Sequence, residues 1–169
     1  MRTIILVMLI TVPAFAQDQS QVVTAACGPK TVAFTVKQDE AQHSPMRPEP
    51  GKALIYFVQE TGAGNCLGPC VTRIGLDGAW VGAFKHNSYF AVSVGPGEHY
   101  ACINLQSSTP LGKLMAFAHV TAEAGEVYDF GTQAFGKASA TRLEIYPIDS
   151  DQAKYLIASI PLSVSQPKK

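Results

Sequence analysis

Short runs of β-branched and aromatic residues, separated by turn residues about every ten positions, fill the middle of the chain. The run "ALIYFVQ" at 53–59 is too short for a lone helix and almost entirely apolar, so it predicts a strand buried on both faces. "SYFAVSV" at 88–94 and "LMAFAHVTAE" at 114–123 alternate instead, as strands with one buried face do. The pattern predicts an all-β fold, an antiparallel β-sandwich of about eight to nine short strands.

A tight hairpin is predicted in the stretch "VTRIGLDGAWVGAF" at 71–84. Two strand-like runs flank Asp77 and Gly78, and an Asp-Gly pair supplies the positive φ angles that such a turn needs. The glycines of "GPGEH" at 95–99 are interpreted in the same way, as residues of a turn between two strands.

The C-terminal part of the chain has a different period. One short helix, packed on the sheet edge or over one end, is predicted from apolar residues at helical spacing: Ala153, Leu156, Ile157 and Ile160. Asp149 is expected to cap this helix, and Pro161 is expected to end it. The tail at 162–169 is expected to be flexible.

The N-terminal stretch "MRTIILVMLITVPAFAQDQ" has the layout of a secretory signal peptide. Arg2 gives a basic start, an apolar run follows, and Ala14 and Ala16 are the small residues that precede a cleavage site, so cleavage is expected after Ala16. The apolar run is too short to cross a bilayer, which takes about 20 residues. A lipidated Cys27 is the alternative, but the polar stretch "QDQSQ" separates it from the apolar run. We therefore expect a periplasmic or secreted protein.

One folded domain is expected between less regular ends. Residues 1–16 are the signal peptide, residues 17–51 an N-terminal arm with a loose leader, one strand and a proline-rich linker, residues 52–161 the sandwich with its C-terminal helix, and residues 162–169 the tail. The 13 basic and 13 acidic residues balance, so charge gives no reason to expect nucleic-acid binding. No second long apolar run is present, so no integral membrane segment is expected after processing.

Four cysteines, an even number in an exported chain, predict two disulfides. Cys66 and Cys70 flank a Gly-Pro pair in "NCLGPC" and are expected to bridge across that turn, which leaves Cys27 and Cys102 as the other pair. A redox centre is less favoured because three residues, rather than two, separate Cys66 from Cys70. A zinc site is less favoured because no second Cys or His pair has the required spacing, and no metal is predicted.

The span from 52 to 148 resembles a known family. "KALIYFVQ", "GLDGAWVGAFKHNSYFAVSVGPGEHYACI" and "AGEVYDF" resemble strands and turns of domain-of-unknown-function family 2846, which in turn resembles PEGA-type β-domains. The resemblance implies an exported β-sandwich, often on a bacterial envelope or secreted, and it implies no catalytic residues. The "CLGPC" loop and the N-terminal arm with Cys27 depart from the family pattern.

No catalytic residues are predicted, because the four histidines are scattered along the chain. His99 follows Glu98, but neighbours on a strand point to opposite faces, which argues against an acid–base dyad. His119 shares a strand face with apolar residues and is interpreted as a buried or edge histidine.

Three aromatic residues are the candidate binding residues: Trp80, Phe84 and Tyr89. They belong either to the core, which is the favoured interpretation, or to an exposed platform for a sugar ring or a peptide. The leading hypothesis is a non-catalytic module without a cofactor, which binds an unknown envelope protein or polymer through loops or an edge strand. The alternatives are a carbohydrate-binding accessory module that uses Trp80 and Tyr89, and an envelope redox or hydrolytic enzyme.

Overall fold

The computed structural model describes residues 19–28, 32–59, 71–135 and 142–169. Within these ranges the chain forms ten strands, two α-helices and a 3-10 helix at Pro110–Lys113. The helices are α1 (Gln19–Cys27) and α2 (Ser150–Ser159). The strands in chain order are β1 (Phe34–Asp39), β2 (Ala53–Gln59), β3 (Val71–Leu76), β4 (Ala79–Lys85), β5 (Ser88–Val94), β6 (Gly97–Leu105), β7 (Met115–Ala122), β8 (Val127–Phe135), β9 (Arg142–Pro147) and β10 (Leu162–Pro167).

The strands form two sheets that pack face to face. The larger sheet has six strands in the order β1-β10-β5-β2-β8-β9, and the smaller has four in the order β4-β3-β6-β7. The predicted all-β sandwich is therefore confirmed. Most neighbouring strands are antiparallel, whereas β2 and β8, and β10 and β5, run parallel. Strand order depends on long-range pairing, so the local pattern carried no information about these parallel pairs.

β2 lies inside the larger sheet and is buried along its whole length, as its continuous apolar run predicts. Alternate residues of β2 pack into two different cores, an inner core between the two sheets and an outer core between the larger sheet and α2. Fully burying one such aliphatic or aromatic side chain contributes about 1.5–3 kcal/mol. The residues that face the inner core are Ala53, Ile55 and Phe57, and those that face the outer core are Leu54, Tyr56 and Val58.

Two features encoded by short sequence motifs are present where the sequence predicts them. Asp77 and Gly78, with φ angles of 50° and 79°, form the tight turn that joins β3 to β4. Asp149 caps α2, and its side chain accepts hydrogen bonds from two backbone N–H groups of the first turn. α2 packs on the outer face of the larger sheet rather than on its edge.

The C-terminal tail, expected to be flexible, forms β10 instead. β10 pairs with β1 along its length. Its serine hydroxyls also accept hydrogen bonds from β4, where Ser165 Oγ lies 2.9 Å from the Ala83 nitrogen and Ser163 Oγ lies 3.2 Å from the Lys85 nitrogen. These hydroxyls give partners to N–H groups along the edge of the smaller sheet. Hydroxyl groups replace apolar side chains at this contact, which explains why an apolar pattern did not reveal the strand.

The segment expected to be a loose leader contains α1, which lies on the outer face of the smaller sheet. Cys27 at its C-terminal end is bonded to Cys102 of β6, with a Cα–Cα distance of 5.6 Å. Gly75 of β3 allows this close approach, because a Cβ there would lie 2.7 Å from both the Cys102 sulfur and the Cys27 Cα. Helix and disulfide together cover one end of the smaller sheet's outer face.

Arg73 of β3 is a buried cation, with 6% of its surface exposed. Its guanidinium donates to the Asn104 side chain and to the carbonyls of Leu105, at 3.1 Å, and Val32, at 3.4 Å. Its Cζ lies 5.4 Å from the centroid of the Trp80 ring. No carboxylate in the described part of the chain lies within ion-pair distance of it, and burial lowers the Arg73 pKa. The side chain therefore joins several chain segments without a counter-ion.

Candidate functional site

A cleft opens on the outer face of the larger sheet, beside α2. Its volume is about 480 Å³, a size typical of small-ligand sites. Its walls are formed by residues 45–48 of the proline-rich linker, by the start of β8 with the turn before it, and by α2. Its apolar lining consists of Pro45, Met46, Pro48, Tyr56, Val127 and Ile157.

Two buried tyrosines hold the linker wall against the sheet. Tyr56 Oη accepts a hydrogen bond from the Met46 N–H at 2.6 Å and donates one to the Met46 carbonyl at 3.3 Å. Tyr89 Oη donates to the Gln42 carbonyl at 3.3 Å. Burial raises the pKa of both hydroxyls, that of Tyr89 to about 12, so both remain donors at neutral pH. The linker is therefore fixed in place by side chains of the sheet.

Asp129 of β8 lines the cleft from the sheet, where it pairs with Tyr56 of β2. Its side chain is half-buried, and nothing in the described ranges forms a hydrogen bond with its carboxyl group. Burial raises the pKa of Asp129 to about 6; nearby Lys154 opposes this increase, and Asp149 adds to it. At neutral pH the cleft therefore holds a partly desolvated negative charge without a hydrogen-bond partner. Carboxylates perturbed in this way are enriched at functional sites.

The other charged groups of the cleft are solvated. Lys154 Nζ lies 3.0 Å from the exposed Asp151 carboxylate on α2, and both Arg47 and Glu126 are exposed. Among the described charged residues that line the cleft, only Asp129 is partly buried and forms no hydrogen bond or ion pair with the cleft wall.

The structure separates the three aromatic residues predicted as candidate binding residues. Phe84 lies in the inner core and Tyr89 in the outer core, each 0% exposed, so neither ring is at the surface. Trp80 is half-buried on the other face of the smaller sheet, near α1. A β-bulge at Val81 places Trp80 and Phe84 on opposite faces of the smaller sheet, because one extra residue reverses the alternation of faces along β4.

His99 pairs with Asp77 of the β3–β4 turn rather than with its neighbour Glu98. Its Nδ1 lies 2.6 Å from Asp77 Oδ2, and its Nε2 lies 2.7 Å from the Gly95 carbonyl. Burial alone would lower the His99 pKa, but the bonds to Asp77 and Gly95 outweigh burial and raise it. Both ring nitrogens are occupied, so His99 ties two turns together and has no nitrogen left to accept a substrate proton.

A second group of aromatic side chains lies on the outer face of the smaller sheet. Tyr100 of β6 and Phe117 of β7 are 45% and 40% exposed. His119, interpreted from the sequence as a buried or edge histidine, lies on β7, an edge strand of this sheet, where it is exposed and contacts the Tyr100 ring at a centroid distance of 4.8 Å. The sheet therefore has an exposed aromatic surface, but it is built from residues other than those predicted.

Several predictions concern positions outside the described residues, namely the signal peptide at 1–16 and the bridge between Cys66 and Cys70. Within the described ranges, no group of three or more His, Cys, Asp or Glu residues is arranged to hold a metal ion. No helix in that part of the chain is long and apolar enough to cross a membrane.

Asp129 is not a candidate site residue on sequence grounds, because an acidic residue in a strand is usually on a solvated face. A weak signal was present in "VYDFG" at 127–131, where Asp129 points to the same side as Val127. Its burial depends on the linker and α2, which are distant in sequence, so the strand alone could not reveal it.

The chain matches no protein-family model, no curated protein and no solved structure. The resemblance to family 2846 therefore stays a prediction, and function has to be argued from the site itself.

Proposed function

We propose that this chain is an exported, non-catalytic binding module whose ligand occupies the cleft beside α2. The observation that carries the proposal is the half-buried Asp129 carboxyl group, which lacks a hydrogen-bond partner in a cleft with apolar walls. A partly desolvated charge costs stability in the free protein, and a ligand that pairs with it offsets that cost. Sites of this composition, apolar with a few polar groups, are typical of ligand binding.

Export is supported by two features. The first is the signal-peptide layout of the N-terminus. The second is the bond between Cys27 and Cys102, because disulfides persist mainly in oxidising compartments. Expression of the full chain in a bacterium should give a periplasmic product whose measured mass is that of a chain beginning at Gln17. An unprocessed cytoplasmic product would contradict this part of the proposal.

Binding is tested by recording amide NMR spectra of the 15N-labelled mature chain with three separate probes: cadaverine, succinate and N-acetylglucosamine. We expect at least one probe to shift the amide signals of Met46, Val127 and Asp129 together. If none of the probes shifts them at millimolar concentration, the cleft is not a site for small charged or sugar ligands and the proposal fails.

A matched pair of variants locates the binding. Val127 is exposed at the cleft, and Val81 is an exposed valine on β4, outside the cleft. Val127→Trp should block the cleft and abolish the shifts, whereas Val81→Trp should leave them unchanged. Equal loss in both variants would show that the shifts do not report on the cleft.

A second candidate function, carbohydrate binding, is favoured by the exposed rings of Tyr100 and Phe117. Aromatic faces at a sheet surface suit the stacking of a sugar ring. In the same titration, N-acetylglucosamine would then shift the signals of Tyr100 and Phe117 and leave the cleft unchanged. Tyr100→Ala should remove those shifts, and their persistence in that variant would contradict this second function.

A further inference from the structure

We propose that the cleft binds a primary alkylammonium group, with the Asp129 carboxylate as its counter-ion and the alkyl chain against Met46 and Val127. This inference rests on the proposed binding role of the cleft and names the class of ligand. Its geometric basis is the position of one half-buried carboxyl group, without a hydrogen-bond partner, among apolar side chains.

The ligand is expected to be positively charged, because the charged group of the cleft that is partly desolvated and lacks a hydrogen-bond partner is a carboxylate. Lys154, the cation nearest to Asp129 on α2, already lies 3.0 Å from Asp151 and is mostly exposed. Arg47 is exposed as well. An anionic ligand would gain little from these solvated cations, because exposed ion pairs contribute little. A cationic ligand would pair with the one desolvated charge.

A metal ion is a poorer candidate for the same charge. Calcium and magnesium require about six oxygen ligands, and no group of three or more acidic, histidine or cysteine residues is gathered for a metal within the described ranges. An ammonium group needs fewer fixed acceptors, and its three donors can also reach water and backbone carbonyls.

The alkyl part of the ligand follows from the rest of the wall. Met46 is half-buried against the outer core, and Val127 at the start of β8 is 41% exposed in the same cleft. Methylene groups gain free energy on leaving water for such a surface. The hydrogen bonds between Tyr56 and Met46 keep this wall in place before a ligand arrives, which reduces the ordering cost of binding.

Two sources present a primary alkylammonium group, a lysine side chain of a peptide and a free diamine. Titration calorimetry of the mature chain at pH 7.5 with Nα-acetyl-lysine methylamide and with cadaverine distinguishes them. The tighter binder identifies the source, and binding of either supports the inference. The matched neutral ligand is 1,5-pentanediol, which should bind at least about tenfold more weakly than cadaverine.

Asp129→Asn is the matched protein variant, because it keeps the shape of the side chain and removes its charge. It should weaken cadaverine binding by about tenfold or more, whereas Glu126→Gln, at an exposed position of the same cleft, should change it less than about threefold. Circular dichroism should show both variants folded. Equal binding of the diol and cadaverine, or unchanged affinity in Asp129→Asn, would overturn the inference.

The pH dependence gives an independent readout. Cadaverine affinity should fall as the pH decreases from 7.5 to 5, because Asp129 takes up a proton near pH 6. Asp129→Asn should remove this dependence, which separates Asp129 from the other groups that face it or line the cleft: Arg47, Tyr56, Glu126, Asp149 and Lys154. A wild-type affinity that is constant over this range would contradict the assigned counter-ion.

Failure of this inference differs from failure of the binding function itself. If succinate or the sugar shifts the cleft amides while neither amine binds, the cleft is a binding site for another class of ligand. If no probe shifts the cleft amides and neither amine binds, both the ligand class and the proposed function are wrong.

Discussion

Asp129 and Arg73 are both charged residues on strands, and their surroundings differ in a way that separates binding from structure. The Arg73 donors reach three acceptors of the protein, in Asn104, Leu105 and Val32. The Asp129 carboxyl has no such partner in the described part of the chain and faces a cleft. The terminal nitrogens of Arg73 are bonded within the fold, although its buried Nε has no partner, whereas a partly desolvated carboxyl group beside a cavity is typical of sites.

Arg73→Lys should destabilise the protein by about 1–3 kcal/mol, because a single ammonium group cannot reproduce the planar arrangement of donors. Urea denaturation measures the change. Arg142→Lys is the matched control, because Arg142 is exposed on β9 and pairs with Glu144 at the surface. A loss in Arg73→Lys no larger than in the control would contradict the structural role.

The His99 pair predicts a pH-dependent stability. The His99 pKa is raised in the folded state. Protonated His99 therefore adds its full contribution to the free energy of unfolding below its unfolded-state pKa of about 6.5. That contribution is lost as the pH rises through the folded-state pKa. Urea denaturation of wild type and His99→Gln between pH 5.5 and 8.5 should therefore give stabilities that converge with rising pH. The difference should be no more than about 1 kcal/mol, as for other largely solvated pairs.

His119→Gln is the control for this prediction, because His119 is exposed and contacts the ring of Tyr100. The stability change that it causes at each pH is the baseline for replacing a histidine that does not contact Asp77. A constant difference between wild type and His99→Gln across this pH range would show that the pair with Asp77 does not titrate as described.

Among the secondary-structure elements, those with strong local signals were predictable and those that depend on distant partners were not. β2 was predictable because its residues form one short, almost entirely apolar run, and α2 because its capping residue and its apolar spacing both lie within a short stretch of sequence. β10 is stabilised by its contacts with β1 and β4, and α1 is stabilised by the disulfide from Cys27 to Cys102. These contacts join residues that are far apart in the sequence, so a short stretch of sequence does not reveal them.

Removal of residues 162–169 should destabilise the protein by more than about 3 kcal/mol, because β1 would lose its paired strand and β4 would lose the serine acceptors. Thermal unfolding followed by circular dichroism measures the effect. Removal of Lys169 alone is the control and should change little. A truncated chain as stable as wild type would show that the tail is flexible after all.

At the scale of the whole molecule, α1 and α2 cover opposite outer faces of the sandwich, and the cleft lies on the α2 side. The fold class was predictable because most strands carry their own local pattern, although β10 does not. The site was not, because its walls come from the linker, β8 and α2. The bulge in β4 likewise moved Trp80 away from Phe84, since one inserted residue reverses the faces without changing the composition.

The Cys27–Cys102 bond closes a loop across 75 positions, so it should stabilise the molecule by about 2–4 kcal/mol. The double variant Cys27→Ser/Cys102→Ser should lower Tm by roughly 5–15 °C. Cys66→Ser/Cys70→Ser is the control and should cost less, because the bridge predicted between these two residues would close so short a loop that it would remove little chain entropy. Equal losses in the two variants would contradict the account of α1 as an element fixed by its disulfide.

The central claim is that Asp129 is a partly desolvated charge without a hydrogen-bond partner in the cleft, and NMR titration of its 13C-labelled carboxyl group in the ligand-free mature chain tests it most directly. We predict that the Asp129 signal titrates near pH 6, while the exposed Asp151 carboxyl on α2 provides an internal comparison in the same spectra. Titration of Asp129 at or below the ordinary aspartate value of about 3.9 would mean that the group is solvated or ion-paired, and would contradict the site as described.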